Sequence, residues 1–432
     1  MNQTIEQLID LANHRGVEAE VYYQDSQNTN INFANNRLKS LQTKATAGVA
    51  LRVIADGKLG FASSSDLTRK EELLDAALAT AAIGDRVEFS LAENTQIINN
   101  AGNTVSPSTE ELVAMGNKLI AQVHEYNADI LVDVDFNVRS STVELATTKG
   151  ATAQRHKQTI SSSLSGNLVR GEDFLEAFAF DVTKDSQPKP DRLLQKLLEK
   201  YRRAEQTATI TSGSYPVLFT PTAAAFTLGS LFKTILSGQA VLQKASPLAD
   251  KLEKQVFDRR LTLKEDPKIG VNACDVDDEG IPTSQKVFID RGIIKQFYWD
   301  LRWAARANTK STGNGFRGGL SRPNPSVVNL CVSPGSTSIN DLIAGIKEGV
   351  IVDQVLGAGQ SNQLAGEFSV NLDLGYKIEN GKIVGRLKNT MVAGNIFDAF
   401  NNLVDLSQEA DWVGGGSNIP YILFAQLGVA SK

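Results

Sequence analysis

One apolar segment set among strand patterns limits this chain more than any other feature. In VLFTPTAAAFTLGSLFKTIL, residues 217–236, a strand-like start runs through Thr-Pro into an alanine-rich stretch. Thr220 suits an N-cap and Pro221 the first helical position, and Ala224, Leu228, Leu231 and Ile235 recur at three- and four-residue spacings. Phe226, Phe232 and Leu236 widen the apolar surface beyond one stripe. The segment is expected to form a helix over 222–236, buried in a core or a subunit interface, with Phe226, Leu228, Leu231 and Phe232 as packing residues. It carries no histidine, cysteine or carboxylate.

The surroundings read as α+β with mainly antiparallel sheets, because strands and helices mix without a βαβ rhythm. Residues 18–65 alternate apolar and polar positions, with a hairpin turn at Asp56-Gly57. Thr68 with Glu71 predicts a capping box opening a helix to Ile83, and Ser108 with Glu111 predicts another opening a helix to about Tyr126. In DILVDVDFNV, Leu131 and Asp133 share one face while Val132, Val134, Phe136 and Val138 share the other. DRLLQKLLEKYRR is a short amphipathic helix, and TITSGSYP is the expected boundary between a region at 1–205, with antiparallel strands plus helices, and a β-rich domain at 206–432. Later hairpins are expected at Arg291-Gly292 and Asn380-Gly381, a helix N-capped by Ser338 at 339–347, and a positive-φ loop at Gly414-Gly415-Gly416.

Composition excludes several classes. A chain of 432 residues with 41% hydrophobic and 22% charged residues is globular, and a formal charge of −5 disfavours nucleic acid as a partner. The first residues lack a basic region followed by an apolar one, and no window reaches a membrane span, so a cytoplasmic protein is expected. Cys274 and Cys331 form no CxxC pair and are expected to be half-buried thiols.

Short motifs mostly fail on their own requirements. His14, His124 and His156 are far apart, and His124-Glu125 in HEYNAD lacks a second histidine one turn on, where Ala128 and Asp129 stand, so a solvated histidine late in a helix is expected. GNGFRG at 313–318 matches GxGxxG, yet its polar, proline-flanked context is that of a loop. CDVDDEG places Asp275, Asp277, Glu279 and Gly280 at calcium-loop offsets, but the closing position holds Lys286, leaving a polar turn before a hairpin.

From VLFTPTAAAFTLGSLFKTIL onward the chain resembles the TldD/PmbA (TldD/TldE) family, and within it the PmbA (TldE) branch. DDEGIPTSQKVFIDRGIIKQFYWDLRWAARA, STGNGFRGGLSRPNPSVVNLCVSPG and GEFSVNLDLGYKIENGKIVGRLKNTMVAGNI carry further likeness in order, and NRLKSLQTKATAGVALRVIADGKLGFASS also looks like the family. The resemblance implies a two-subunit metallopeptidase acting on unfolded peptides. Its TldD partner carries HExxxH on the helix matching 222–236 and holds the zinc. Here that helix has Phe226, Thr227, Leu228 and Gly229 where ligands and base would be needed, so this chain is expected to hold no cofactor and no catalytic residue. A heterodimer with a TldD-like subunit is expected, or a homodimer when alone, with neither nucleic acid nor membrane as partner. Asn314, Arg317 and Asn395, polar groups among glycines, are the candidates for lining the peptide chamber. Two other readings stand beside this one: an autonomous hydrolase using His124, His156 or the cysteines, and a regulatory binding protein following the family's old label as modulator of DNA gyrase.

Overall fold

The structure, a computed structural model, describes residues 2–99, 106–184, 187–360 and 362–432. The alternating segment folds as three successive antiparallel strands, β1 (Glu18–Ala34), β2 (Arg37–Ala55) and β3 (Lys58–Ser64). Both connections are two-residue turns with left-handed backbone: φ is 49° and 71° at Asn35-Asn36, and 50° and 70° at Asp56-Gly57. With β4 (Gln96–Asn99), β5 (Leu131–Thr147), β6 (Thr152–Arg170) and β7 (Asp173–Lys184) they form a seven-stranded sheet in the order β3-β2-β1-β5-β6, with β4 and β7 both on β6. Every pairing is antiparallel except that of β4.

Four helices cover one face of this sheet: α1 (Gln3–His14), α2 (Lys70–Ala82), α3 (Thr109–Tyr126) and α4 (Pro190–Arg203). The strand alternation explains why. Ala19, Val21, Ile31 and Phe33 of β1 and Val132, Val134 and Phe136 of β5 all point to that face and are buried there. Gly116 of α3 is dictated by this packing, since a Cβ there would stand 2.4 Å from the Phe33 ring. The α3 capping box forms as expected, with Glu111 N donating to Ser108 Oγ at 3.1 Å and Ser108 N to Glu111 Oε2 at 2.7 Å. The expected box at Thr68 does not form. Its hydroxyl donates to Asp66 Oδ1 at 2.6 Å in a local turn, and α2 starts at Lys70 with no side-chain cap.

The opposite face is polar and half-buried. Asn30 stands beside Gln42 on one side and Asn137 on the other, and Asn137 beside Ser161. Where β6 and β7 extend this face, it meets the second half of the chain: Phe178 N donates to Gln354 Oε1 at 2.9 Å, and the Phe180 ring lies 6.0 Å from that of Phe226.

The chain leaves the first sheet through α4 and enters a twelve-stranded sheet at Thr207–Ala208. Its central strand, Gly213–Phe219, runs antiparallel to Ser417–Ser431 and parallel to Glu348–Leu356. Positive φ at Arg291-Gly292, Asn380-Gly381 and Gly414-Gly415 marks three of the expected turns, and Ser338 caps a helix that is shorter than expected, Ile339–Ala344. Over the sheet lies the apolar helix. Phe232 sits among Phe257 and Phe400 at centroid distances of 5.6 and 5.2 Å, and Phe400 meets Phe424 edge-on at 5.1 Å. Both cysteine thiols are buried, contrary to the half-buried expectation. No helix is long and apolar enough to cross a membrane among the described residues.

Candidate functional site

The helix runs over 221–235, capped as its sequence requires: Thr220 Oγ1 accepts from Ala223 N at 3.3 Å, and Pro221 takes the first position. A π turn, Ala225–Gly229, interrupts it. Such a turn is rare and brings residues five apart toward one face, which an α-helix does not. The hydroxyl of Thr227 within it is buried without a partner. Leu228, Leu231 and Phe232 are core residues, whereas Phe226 is 47% exposed. Thr222, Phe226, Ser230, Lys233 and Thr234 are the residues of the helix left open.

Each end of this open line meets a cavity. At the N-terminal end a space of about 90 Å³ is bordered by Thr222, Phe178, Phe180, Lys196, Lys200 and Asp353. There the Lys200 ammonium lies 3.2 Å from Asp353 and 5.0 Å from the centre of the Phe178 ring. At the C-terminal end a space of about 450 Å³ is bordered by Ser230, Lys233, Thr234, Tyr298 and Ser326. Burial lowers the pKa of the Lys233 ammonium, whose nearest hydrogen-bond partner is Ser417 Oγ at 3.4 Å.

Zinc needs imidazole, thiolate or carboxylate donors. The open residues offer three hydroxyls, a phenyl ring and an ammonium, so they do not fit the metal. Among the described residues no three His, Cys, Asp or Glu side chains are grouped so that they could hold a metal ion. His14 bonds its own helix at Asp10 O, and His156 Nδ1 lies 3.2 Å from Thr142 Oγ1. The ring of His124 is half-buried and held by Ile130 O at 3.1 Å and Asn36 Oδ1 at 3.2 Å, rather than solvated.

The glycine-rich loop and the acidic turn form one buried network, where the sequence suggested a surface loop and a polar turn. Asn314 is fully buried, and its Nδ2 donates to both Glu265 carboxylate oxygens at 3.0 and 2.9 Å and to Ser326 O at 2.8 Å. The Arg317 side chain is likewise enclosed: its guanidinium pairs with Glu20 of β1 and lies 4.7 Å above the Tyr22 ring. Arg52 of β2 bridges Glu20 and Glu279, with Nε donating to Glu20 at 2.9 Å and Nη1 to Glu279 at 2.7 Å, while Arg155 of β6 pairs with Asp278 at 2.6 Å. Asn314 and Arg317 are thus spent on binding the loop to its surroundings, rather than facing a chamber. Asn395 caps the helix Ile396–Asn401, accepting from Phe397 N at 2.9 Å and donating to Ala365 O at 3.1 Å. Close to Glu279, burial first and that carboxylate second push the Asp300 carboxyl up to about 7, and the same two causes raise Asp277. The open helix line, its two cavities and the polar sheet face are what sequence reasoning missed. Of these, only the sheet face leaves a trace in the sequence, in Asn28, Asn30 and Asn32 at alternate positions of β1.

Known proteins share this architecture. The family model described as PmbA/TldA metallopeptidase C-terminal domain matches residues 212–431, and that of PmbA/TldA metallopeptidase domain 1 matches residues 19–83. An uncharacterised Methanocaldococcus jannaschii protein is 25% identical over 93% of this chain and 94% of its own length. A metalloprotease PmbA homolog of Buchnera aphidicola is 22% identical over 94% and 92%. The crystal structure of TldE from Thermococcus kodakarensis superposes with a TM-score of 0.87 at 24% identity, covering 99% of this chain and 100% of that one, a likeness that speaks for the fold. With one family model spanning half the chain and a second matching its start, this chain belongs to the PmbA/TldD metallopeptidase family.

Proposed function

We propose that this chain is the PmbA/TldE-like, non-catalytic subunit of a heterodimeric cytoplasmic peptidase whose zinc site lies on a TldD-like partner, the pair processing or degrading unfolded peptides. One observation carries the reading: the apolar helix keeps a capped start, a π turn and an open line flanked by cavities, yet that line is Thr222, Phe226, Ser230, Lys233 and Thr234. A helix built to hold zinc would need imidazole and carboxylate on its open face in place of those side chains. Without them there is no base to activate a metal-bound water. Exposed Phe226, next to Phe180, is where a partner or substrate would touch the helix.

The test is zinc content and cleavage of an unstructured peptide by this chain alone, by a TldD-like partner alone, and by the mixture. A zinc-free, inactive chain that joins an active complex is the expected result. Stoichiometric zinc with cleavage by the chain alone would overturn it.

A further inference from the structure

The polar face of the first sheet is sorted by charge along its strands. One cross-strand row reads Lys44, Asn28, Arg139, Thr159 and Lys184, and Lys157 follows on β6 beside Ser141. At the other end of the same face stand Asp133, Asp135 and Glu176. Arg139 and Asp133 are six residues apart on β5, about 20 Å along an extended strand. Between the two ends the face is neutral: Asn30, Gln42, Asn137 and Ser161. None of Lys44, Arg139, Lys157 and Lys184 has a carboxylate partner among the described residues, and none of Asp133, Asp135 and Glu176 a cationic one. Asp133 and Asp135 accept only from Asn35 N and Asn32 Nδ2.

Like charges gathered without counter-charges repel, and the titration behaviour follows. Burial, then Arg155, Lys184 and Arg139, push the Lys157 ammonium down to about 8. Burial, then Asp373 and Asp133, raise the Glu176 carboxyl. The positive end is also concave. Lys157 and Arg155 border a cavity of about 230 Å³ closed by Asn272, Cys274, Phe316 and Val327. Arg155 is committed to Asp278, while Lys157 meets only the Asn272 carboxamide, which leaves its charge for a ligand.

We propose that this face seats an extended peptide of about eight residues along the strands, with its C-terminal carboxylate at Lys157 in the cavity and its N-terminal end toward Asp133 and Glu176. The proposal rests on the reading of this protein as a peptide-handling subunit and adds a direction and a terminus to it. Carboxamides and hydroxyls across the middle match a peptide backbone without selecting side chains, so chain ends would be what the site reads.

Calorimetric titration of the full chain with an unstructured octapeptide, as free acid and as C-terminal amide, tests it. The free acid should bind about tenfold more tightly at pH 7, the worth of one charge-assisted hydrogen bond. Lys157→Gln, which can keep the contact to Asn272, should abolish the preference, and Arg139→Gln at the exposed rim should reduce it. The preference should also fall between pH 8 and 10 as Lys157 loses its proton. The groups facing Lys157 are Arg155, Arg139, Lys184 and Cys274, and the Cys274 thiol, raised to about 11 by burial, stays neutral over that range. Equal binding of acid and amide, or a preference that survives Lys157→Gln, would overturn the site. An amidated peptide ending in glutamate that binds as tightly as the free acid would overturn the assignment to a chain terminus. If no peptide of any form bound, the peptide reading itself would fall, an outcome distinct from equal binding.

Discussion

Asp300→Asn should stabilise the protein, and by an amount that depends on pH. Asp300 is 1% exposed and caps the helix Leu301–Arg306, accepting from Trp303 N at 2.8 Å. Fully buried Glu279 accepts from the adjacent Leu301 N at 2.8 Å. Burial and the Glu279 charge hold the folded-state carboxyl at about 7, against 3.8 for an ordinary aspartate. Between those two values the unfolded chain has released the proton and the native chain has kept it. Raising pH through this window therefore costs the native state free energy, and the loss levels off above pH 7.

About three pH units at 1.36 kcal/mol each set a ceiling near 4 kcal/mol. That folded-state value already contains the opposing pull of Arg52 and Arg302, and because Glu279 shares the repulsion, about 2–3 kcal/mol is expected. Asparagine caps a helix as well as aspartate does and never ionises. Urea unfolding followed by tryptophan fluorescence should show variant and wild type alike near pH 4. The variant should then lead by about 2–3 kcal/mol at pH 8, a gap set by the linkage above. A gap that is the same at pH 4 and pH 8 would refute the argument. A wild type that gained on the variant as pH rose would show that Arg52 and Arg302 make the ionised carboxylate a net stabiliser.

Three further outcomes follow from the packing. Arg52→Met removes the cation between two buried carboxylates and should cost about 3–5 kcal/mol in unfolding free energy at pH 7; a loss below about 1 kcal/mol would mean that water or rearrangement satisfies Glu20 and Glu279. Leu228→Ala should cost about 2–5 kcal/mol by opening a cavity beneath the helix, while Phe226→Ala, half-exposed, should cost about 1 kcal/mol or less in the isolated chain and should weaken association with a TldD-like subunit. Gly238→Ala should destabilise by more than a typical surface change, because the new methyl would stand 2.1 Å from the Trp299 ring; thermal melting of the variant checks it.

What the sequence displays and what it hides divide along a physical line. Local signals held where the relevant partners lie within a few residues: Ser108 with Glu111, Thr220 before Pro221, and the turns Asp56-Gly57 and Asn380-Gly381. Thr68 failed because Asp66 ties it into a local turn, with Thr68 N and Oγ1 both donating to Asp66 Oδ1, and the helix starts only at Lys70. The network around Glu20 could not be read at all, since Arg52 is 32 residues away from it and Arg317 is 297. Nothing in GNGFRG or CDVDDEG distinguishes a solvated loop from one whose charges meet counter-charges on another sheet. The π turn was hidden for a different reason, as a stretch such as TPTAAAF is compatible with either helix and nothing within it marks the wider turn. The polar sheet face is the instructive case. Its Asn and Ser residues alternate with apolar ones, and alternation alone predicts a strand with one wet side. That the wet side is half-covered by the rest of the chain, with cations at one end and carboxylates at the other, depends on strands from positions 26 to 184 stacking in register. A function carried by such a face is distributed over five strands, and no short motif can encode it.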